Sequence, residues 1–250
     1  MIEIRNQNDV AILTMDHGKA NLFDLELCQA LTTSFGECAE SPSRAVVLSA
    51  RGSIFSGGVD LRRLLDGGAA YVDSFLPALA RTFEAAFAFP KPLVAAVTGH
   101  AIAGGCILAC AADRRLMARG AGRIGVPELL VGVPFPTVAL EIMRHAVALP
   151  QLTRLIYSGE TLTADAAVER GLVDIAVAPD DLLEEAVAAA AAMAALPPAA
   201  FAMTKAQLRE PALARIRHGT QHVDAGIHRM WAAPETLQAV RSYVERTLRK

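Results

Sequence analysis

The sequence predicts an α/β fold, a core in which buried parallel strands alternate with helices. Short continuous apolar runs, such as AVVLS at residues 45–49, have the length and composition of strands covered on both faces. Longer segments with apolar residues at helical spacing, such as residues 24–40, separate these runs. Because neighbouring parallel strands are joined by crossovers that are usually helical, this alternation favours parallel pairing.

The elements follow one another regularly along the first 180 residues. Asp60 has a side chain that accepts the first free N–H groups of a helix, so we expect it to cap a short helix at 61–65. Asp113 is expected to be a structural hydrogen-bonding group. Strands are predicted at 10–15, 45–49, 92–98, 115–118 and 172–177, and helices at 24–40, 71–89, 104–112, 137–147, 150–157 and 164–170.

Beyond residue 179 the pattern changes to helices alone. Proline interrupts helix interiors, so each proline site here predicts a break. The breaks are predicted at Pro197-Pro198, Pro211 and Pro234. We therefore divide the chain into an α/β core at residues 1–180 and a helical region at residues 181–250. A helical tail after a complete core needs a surface to cover, and we expect it to pack on the core and on a neighbouring subunit.

Length and composition predict a soluble globular protein of one large domain. The chain has 250 residues, of which 53% are hydrophobic, enough for a sizeable core. Its 24 Lys and Arg are scattered among 26 Asp and Glu, so no basic surface for nucleic acid is expected. The first residues lack a signal-peptide pattern, and the longest apolar run, residues 186–196, is too short for a membrane span. We expect a cytoplasmic protein with no nucleic acid or membrane partner.

The cysteines and histidines do not predict a metal site. None of the four cysteines belongs to a CxxC pair, and buried reduced thiols are the expected state. His218 and His222 are four residues apart but lack an intervening glutamate and a third ligand. We expect them to lie on a solvated helix face.

Two glycine turns carry most of the functional information. In residues 54–61 (IFSGGVDL) and 96–109 (AVTGHAIAGGCILA), a strand-like run ends in glycines that open onto a helix-like run. Such turns leave backbone N–H groups bare, and a helix N-terminus adds unpaired N–H groups and the positive end of the helix dipole. Two turns of this kind can hold one oxygen from two sides. That arrangement suits a carbonyl that becomes an enolate, since fixed amide donors stabilise charge that develops during reaction.

The same two segments carry a family resemblance. Residues 55–61 are similar to the F-S-A-G-x-D-L loop, and residues 96–106 to the A-V-N-G-x-A-x-G-G-G block, of the crotonase family of enoyl-CoA hydratases and isomerases. Further similarity lies in residues 20–22 (ANL), 125–128 (GVPE), 158–159 (SG), 166–174 (AAVERGLVD) and 204–205 (TK). The resemblance implies a crotonase-like spiral of ββα units with a C-terminal helical oligomerisation region. It also implies a homotrimer or homohexamer that binds an acyl-CoA thioester as substrate.

The resemblance further implies roles for individual residues. The amides of Val59 and Gly104 would form an oxyanion hole, and Glu128 would be the catalytic carboxylate. Tyr243 and Arg246 match a family position that serves a neighbouring subunit. The residues implied to bind substrate are Gly57, Gly58, Leu61, Ala103, Gly105, Ile107, Tyr243 and Arg246. No separate cofactor is implied, because coenzyme A arrives as part of the substrate.

One position departs from the hydratase pattern. Family hydratases place two glutamates beside the substrate's Cα–Cβ bond, whereas here the first of these positions is Ile107 and only Glu128 remains. Hydration needs water to be positioned and a proton to be delivered, usually by two groups. One carboxylate suffices to move a proton from C2 to C4 of a 3-enoyl thioester, and an apolar neighbour keeps water away. The pattern therefore resembles the Δ3,Δ2-enoyl-CoA isomerases of fatty acid metabolism, and AGGC at residues 103–106 resembles their mitochondrial type.

Several alternatives stay open at this level. A hydratase, a thioester hydrolase or a decarboxylase on the same scaffold would use the same oxyanion hole, and Glu128 alone does not separate them. A catalytically silent crotonase-like scaffold would bind an acyl-CoA without turning it over. A nucleotide-binding loop is disfavoured, because Cys106 stands where a phosphate loop requires lysine.

Overall fold

The structure is a computed structural model that describes residues 1–247. These residues form ten strands and eleven α-helices. The strands are β1 (Ile2–Gln7), β2 (Val10–Met15), β3 (Ala45–Ala50), β4 (Ile54–Ser56), β5 (Leu93–Val97), β6 (His100–Ile102), β7 (Arg114–Ala118), β8 (Ile124–Gly125), β9 (Thr161–Leu162) and β10 (Ile175–Val177). The helices are α1 (Leu25–Glu40), α2 (Leu61–Phe87), α3 (Gly104–Cys110), α4 (Glu128–Val131), α5 (Thr137–Ala146), α6 (Leu149–Ser158), α7 (Ala164–Glu169), α8 (Leu182–Ala194), α9 (Pro198–His222), α10 (Asp224–Ala232) and α11 (Pro234–Thr247).

Three successive ββα units build the core: β3-β4-α2, β5-β6-α3 and β7-β8-α4. In each unit the first strand joins a six-stranded sheet of order β1-β2-β3-β5-β7-β10, and the second joins a four-stranded sheet of order β4-β6-β8-β9. Paired strands run parallel except for β1 with β2 and β8 with β9. The predicted α/β spiral with a C-terminal helical region is therefore confirmed.

The central strands of the large sheet are buried on both faces, as continuous apolar strands require. All six residues of β3 are buried. One set of alternating strand residues, including Ile12 and Val47, packs on α8, while the opposite set lies in the main core with α1 and α2. The buried face of α8 contains Ala186, Ala190 and Ala194, whose small side chains let the helix lie close to the strands.

The sequence did not predict the exposed strand β1 or the four strands of the small sheet, and the reason is physical. Strands β4, β6, β8 and β9 have two or three residues, which is too few for a period of two to be recognised. In β1 most residues are exposed, so no apolar alternation marks it. Strand β10 is shorter than the predicted 172–177, because the N–H groups of Leu172 and Val173 instead donate to the carbonyl of Ala167 at the end of α7.

One predicted helix boundary is confirmed and another was wrong. Helix α2 contains the two helices predicted at 61–65 and 71–89, and a kink at Gly68, where φ is 56° and ψ is -148°, separates them. The break predicted at Pro211 is absent, since α9 continues through it to His222. An internal proline costs a helix about 3 kcal/mol. The buried contacts of α9 with the core offset that cost.

The strongest of these contacts is an ion cluster around Asp113. Lys205 Nζ and Arg209 Nη2 of α9 donate to the two oxygens of this carboxylate at 2.7 and 2.6 Å. Arg209 also donates to the carbonyls of Phe87 and Ala111, so one guanidinium joins α9 to the ends of α2 and α3. Burial lowers the pKa of Lys205 to about 8. The expectation that Asp113 is structural is confirmed.

All four cysteines are free and buried. Among residues 1–247, no group of three or more His, Cys, Asp or Glu side chains is arranged to hold a metal ion. No single helix in that range is long and apolar enough to cross a membrane; the segments Pro179–Ala194 and Pro198–His222, bent by 102°, meet the length and composition only as a pair.

The ion cluster predicts a large stability difference between two arginines of α9. Arg209→Ala removes the guanidinium that donates to Asp113 Oδ1 and to two backbone carbonyls, so we expect a loss of about 3 to 5 kcal/mol in the free energy of unfolding. The control Arg217→Ala breaks an exposed pair with Glu210 and should cost at most about 1 kcal/mol. Urea denaturation measures both, and equal losses would contradict the role given to the cluster.

Candidate active site

The parallel pairing of β4 with β6 brings the two glycine turns together. Ile54 pairs with His100 and Ser56 with Ala101, so the chain leaves both strands at the same edge of the small sheet. Gly58, with φ of 87°, lies against the second turn: a Cβ built on it would be 2.9 Å from the Ala103 Cβ. Side chains at this contact would force the turns apart. Glycine is therefore required by space as well as by conformation.

The backbone around Val59 directs its N–H away from the neighbouring chain segment. The N–H of Phe23 donates to Gly58 O at 2.8 Å, and the N–H of Asp60 donates to Phe23 O at 3.0 Å. Val59 is the middle residue of this parallel bridge. Its own N–H consequently points to the opposite side, where Val59 lines a large cavity.

The second turn presents the amide of Gly104 at the start of α3. Ile107 N–H donates to Ala103 O, so the N–H groups of residues 104–106 precede the first intrahelical hydrogen bond. Ala103 holds this geometry with φ of 52° and ψ of -120°, a conformation that L-residues rarely adopt and that costs about 1 to 3 kcal/mol. The strained backbone of Ala103 thus orients the N–H of Gly104 toward the cavity.

Packing behind the turns fixes them in place. A Cβ on Gly105 would lie 2.5 Å from the carbonyl oxygen of Ser56, so α3 sits directly on β4. The Ser56 hydroxyl donates to Asn21 O at 2.7 Å and accepts from the Gly58 N–H at 3.2 Å. Asn21 in turn donates from Nδ2 to Ile54 O. Gly58 and Gly105 therefore hold the turns together and do not line the cavity.

The cavity beside both turns has a volume of about 1220 Å³ and a lining that contains two chemically different sets of residues. The charged set comprises Lys19, Asp60, Arg62, Arg63, Asp66 and Arg123. The apolar set, which we call the apolar pocket, comprises Leu79, Phe83, Val131, Val133, Ala139 and Trp231. Asp60 caps α2, as predicted, by accepting from the N–H groups of Arg62 and Arg63. A lining of this composition suits a ligand with both polar and apolar parts.

Glu128 is the buried acid of this cavity. It is the first residue of α4, directly after Pro127, and is 6% exposed. Its Oε2 has no hydrogen-bond partner. Burial in apolar surroundings raises the pKa of Glu128 from 4.5 to about 8. An acid of this kind takes up and releases protons near neutral pH, which is the property of a general base.

Ile107 borders the same cavity at the position where the hydratase pattern has its other glutamate. It lies three residues after Gly104 in α3 and is 3% exposed. Among the described residues that line the cavity, the acids are Asp60, Asp66 and Glu128, and only Glu128 is buried. One buried carboxylate, two bare amides and an apolar wall thus meet in one place.

The remaining predicted substrate residues divide into two groups. Gly57, Leu61, Ala103 and Tyr243 line the cavity, whereas Arg246 does not and is exposed, with its guanidinium 5.9 Å from the Tyr243 ring centre. Tyr243 lines the cavity of its own chain, and its service to a neighbouring subunit stays a prediction. Helices α10 and α11 fold back on α2 and bring it there.

The apolar pocket was missed by sequence reasoning. Phe83, Val133 and Trp231 come from elements far apart in the chain, and no local motif joins them. The single tryptophan of the chain, in a helical tail with few other aromatic residues, was the one available signal.

The contact between the turns predicts unequal effects for two glycine substitutions. Gly58 and Gly52 both have positive φ, of 87° and 79°, but an added Cβ clashes only at Gly58. We expect Gly58→Ala to lower the free energy of unfolding by about 1 to 3 kcal/mol more than Gly52→Ala, because of this overpacking. Chemical denaturation tests the difference, and similar losses in the two variants would refute the close contact.

The buried carboxyl predicts a dependence of stability on pH. The pKa of Glu128 is about 8 in the folded chain and near 4.5 when unfolded, so the folded state binds an extra proton between these values. Its contribution to stability is complete below pH 4.5, falls as pH rises and is lost above pH 8. Glu128→Gln removes this dependence, so wild-type stability should fall relative to the variant by about 1.4 kcal/mol per pH unit between pH 5.5 and 7. Parallel pH profiles in urea denaturation would be inconsistent with the raised pKa.

Known proteins resemble this chain over nearly its whole length. The enoyl-CoA hydratase/isomerase family profile matches residues 5–249. A probable enoyl-CoA hydratase from Rhizobium meliloti is 31% identical over 204 residues, covering 81% of this chain and 78% of the relative. Another from Mycobacterium bovis is 26% identical over 247 residues, covering 98% of this chain and 95% of the relative.

Two solved structures share the fold. A probable enoyl-CoA hydratase from Mycobacterium tuberculosis, 30% identical, superposes with a TM-score of 0.85 and covers 91% of this chain and 96% of the other. Human mitochondrial Δ3-Δ2-enoyl-CoA isomerase superposes with a TM-score of 0.94 over 98% of this chain and 97% of the other, at 22% identity, a likeness that bears on the fold alone. With its glycine turns, its ββα spiral and a family profile that spans both, the chain belongs to the enoyl-CoA hydratase/isomerase family.

Proposed function

We propose that this protein converts 3-enoyl-CoA thioesters to 2-enoyl-CoA thioesters. The observation that carries the proposal is that Glu128 is the single buried acid among the described residues lining the cavity, with Ile107 at the second position. Double-bond migration needs one group that removes and returns the same proton. The cavity offers that group and an apolar wall beside it.

In the proposed reaction, Glu128 removes a proton from C2 of the substrate. The C–H electron pair moves toward C1, and the thioester oxygen becomes negatively charged in a dienolate. The N–H groups of Val59 and Gly104 donate to this oxygen and stabilise it. Protonated Glu128 then gives the proton to C4, the double bond settles between C2 and C3, and the carbonyl re-forms. No atom is gained or lost, and no cofactor is needed beyond the coenzyme A of the substrate.

The charged residues of the cavity lining support a coenzyme A thioester as the substrate class. Lys19 and Arg123 line it with positive groups that suit phosphates. Arg63 also lines it, but its guanidinium is held by Glu26 through two hydrogen bonds of 2.6 Å. We therefore assign phosphate contacts first to Lys19 and Arg123.

Assembly and compartment remain parts of the proposal. We propose a homotrimer or homohexamer in the cytoplasm. The free state of all four cysteines supports a reducing compartment. Exposed apolar side chains near α4 and α6, such as Leu130 (54%) and Tyr157 (76%), support a contact between subunits.

Hydration of 2-enoyl-CoA is the second candidate, and the names of several relatives favour it. It requires an attacking water held in place while a proton is delivered to the neighbouring carbon. Glu128 can serve one of these needs. Ile107 has no polar atom with which to serve the other.

A side-by-side assay separates the two reactions. Purified protein is given a 3-enoyl-CoA and, separately, the 2-enoyl-CoA of the same chain length. We expect isomerisation to exceed hydration by at least about 100-fold in kcat/KM, in line with the loss of one acid-base group. Efficient hydration with poor isomerisation would overturn the proposal, and binding without turnover of either thioester would favour a silent scaffold.

The role of Glu128 predicts the effect of a near-isosteric change. Glu128→Gln keeps the shape but removes the base, so kcat should fall by roughly 10² to 10⁴ while acyl-CoA binding stays nearly unchanged. The exposed Glu169 supplies the control Glu169→Gln, which should retain wild-type kcat. A kcat of Glu128→Gln within a few-fold of the wild-type value would contradict the assignment of Glu128 as the base.

A further inference from the structure

The apolar pocket begins next to the proposed oxyanion hole. A Cβ built on Gly104 would lie 3.4 Å from Phe83 Cζ, so the Phe83 ring abuts the backbone of the second glycine turn. Leu79 lies one helical turn before Phe83 on α2 and lines the same pocket. An acyl chain that has its carbonyl at Gly104 and enters the apolar pocket therefore lies beside this face of α2.

Trp231 borders the pocket from the helix that packs on α2. Helix α10 contacts α2, and Trp231 is the largest side chain in the pocket lining. The residue is only 3% exposed and belongs to the main hydrophobic core. Protein therefore lies behind the indole, which acts as a wall of the pocket.

A hydrogen bond fixes the orientation of this wall. Trp231 Nε1 donates to the carbonyl oxygen of Pro134 at 2.9 Å. Pro134 lies in the segment after α4, directly after Val133, which is a residue of the apolar pocket. Rotating the indole out of the pocket would leave both the N–H and this carbonyl without a partner, which is unfavourable in a buried site. The hydrogen bond therefore opposes any rotation of the Trp231 indole that would make room for a longer ligand.

We propose that Trp231 sets the upper limit on the length of the acyl chain that this protein accepts. This inference rests on the proposed function, since it assumes an acyl thioester in the cavity. Chains that end before Trp231 gain affinity with each added methylene, by roughly four-fold apiece. Chains that reach the fixed indole gain nothing further, because the next methylene has no space.

Because Trp231 is the single tryptophan of the chain, tryptophan fluorescence reports directly on this wall of the pocket. Wild-type protein is titrated with saturated acyl-CoA thioesters from butyryl to palmitoyl, which bind but have no double bond to move, and its emission is followed; coenzyme A alone is the control. We expect Trp231 emission to change only once the chain passes a threshold length. The same response to every chain length, or to coenzyme A alone, would overturn the inference without any variant.

Substitution tests the limit itself. Trp231→Ala should raise kcat/KM for 3-enoyl-CoA chains longer than the wild-type optimum, by roughly four-fold for each methylene newly admitted. Trp231→Phe keeps a ring but loses the hydrogen bond to Pro134, and it should shift the optimum less. Met230→Ala, at a 54% exposed neighbour on the same helix, should leave the chain-length profile unchanged.

The outcomes distinguish this inference from the proposed function. If no enoyl thioester is turned over but emission depends on chain length, the proposed reaction fails and the role of Trp231 stands. If wild-type protein isomerises 3-enoyl-CoA but Trp231→Ala and Trp231→Phe both keep the wild-type length optimum, the role of Trp231 fails alone. A uniform loss of activity at all lengths in both variants would also overturn it.

Discussion

The candidate site depends on one close backbone contact, the approach of the first glycine turn to the second. Gly58 meets Ala103, and Gly105 meets the Ser56 carbonyl, at distances that leave no room for larger side chains. The contact exists because β4 and β6 are parallel neighbours, so their ends fall at the same edge. Two amides from segments about 45 residues apart thereby face one cavity, and their rigidity is what makes electrostatic stabilisation effective.

The second constraint is the burial of an acid without a partner. Glu128 is placed by the short helix α4, and its Oε2 receives no hydrogen bond. Desolvation holds its pKa near 8, at a cost in stability whenever the carboxyl ionises. A fold that needed only stability would replace or pair this group. A buried, unpaired acid beside two bare amides is the usual sign of a functional site, where proton affinity matters more than stability.

The C-terminal helices complete the cavity of their own chain. The ion cluster of Asp113, Lys205 and Arg209 joins α9 to the ends of α2 and α3. Its contacts offset the cost of the internal Pro211, so that α9 stays continuous across this residue. The chain then returns over α2, so that Trp231 and Tyr243 reach the cavity. The helical region is therefore a structural part of the site as well as a candidate surface for assembly.

The sequence by itself determined the features that act within a few residues. Apolar runs of strand length, the cap at Asp60 and the glycine turns follow from local periodicity and backbone sterics, which a pattern records directly. The placement of Val59, Gly104, Glu128 and Ile107 around one cavity came from the family motifs. Tertiary structure alone decided which distant side chains line the apolar pocket, and that Tyr243 faces its own chain. It also decided how deeply Glu128 is buried, and hence the rise of its pKa. These properties depend on how elements far apart in the chain pack together, and local sequence patterns do not encode that packing.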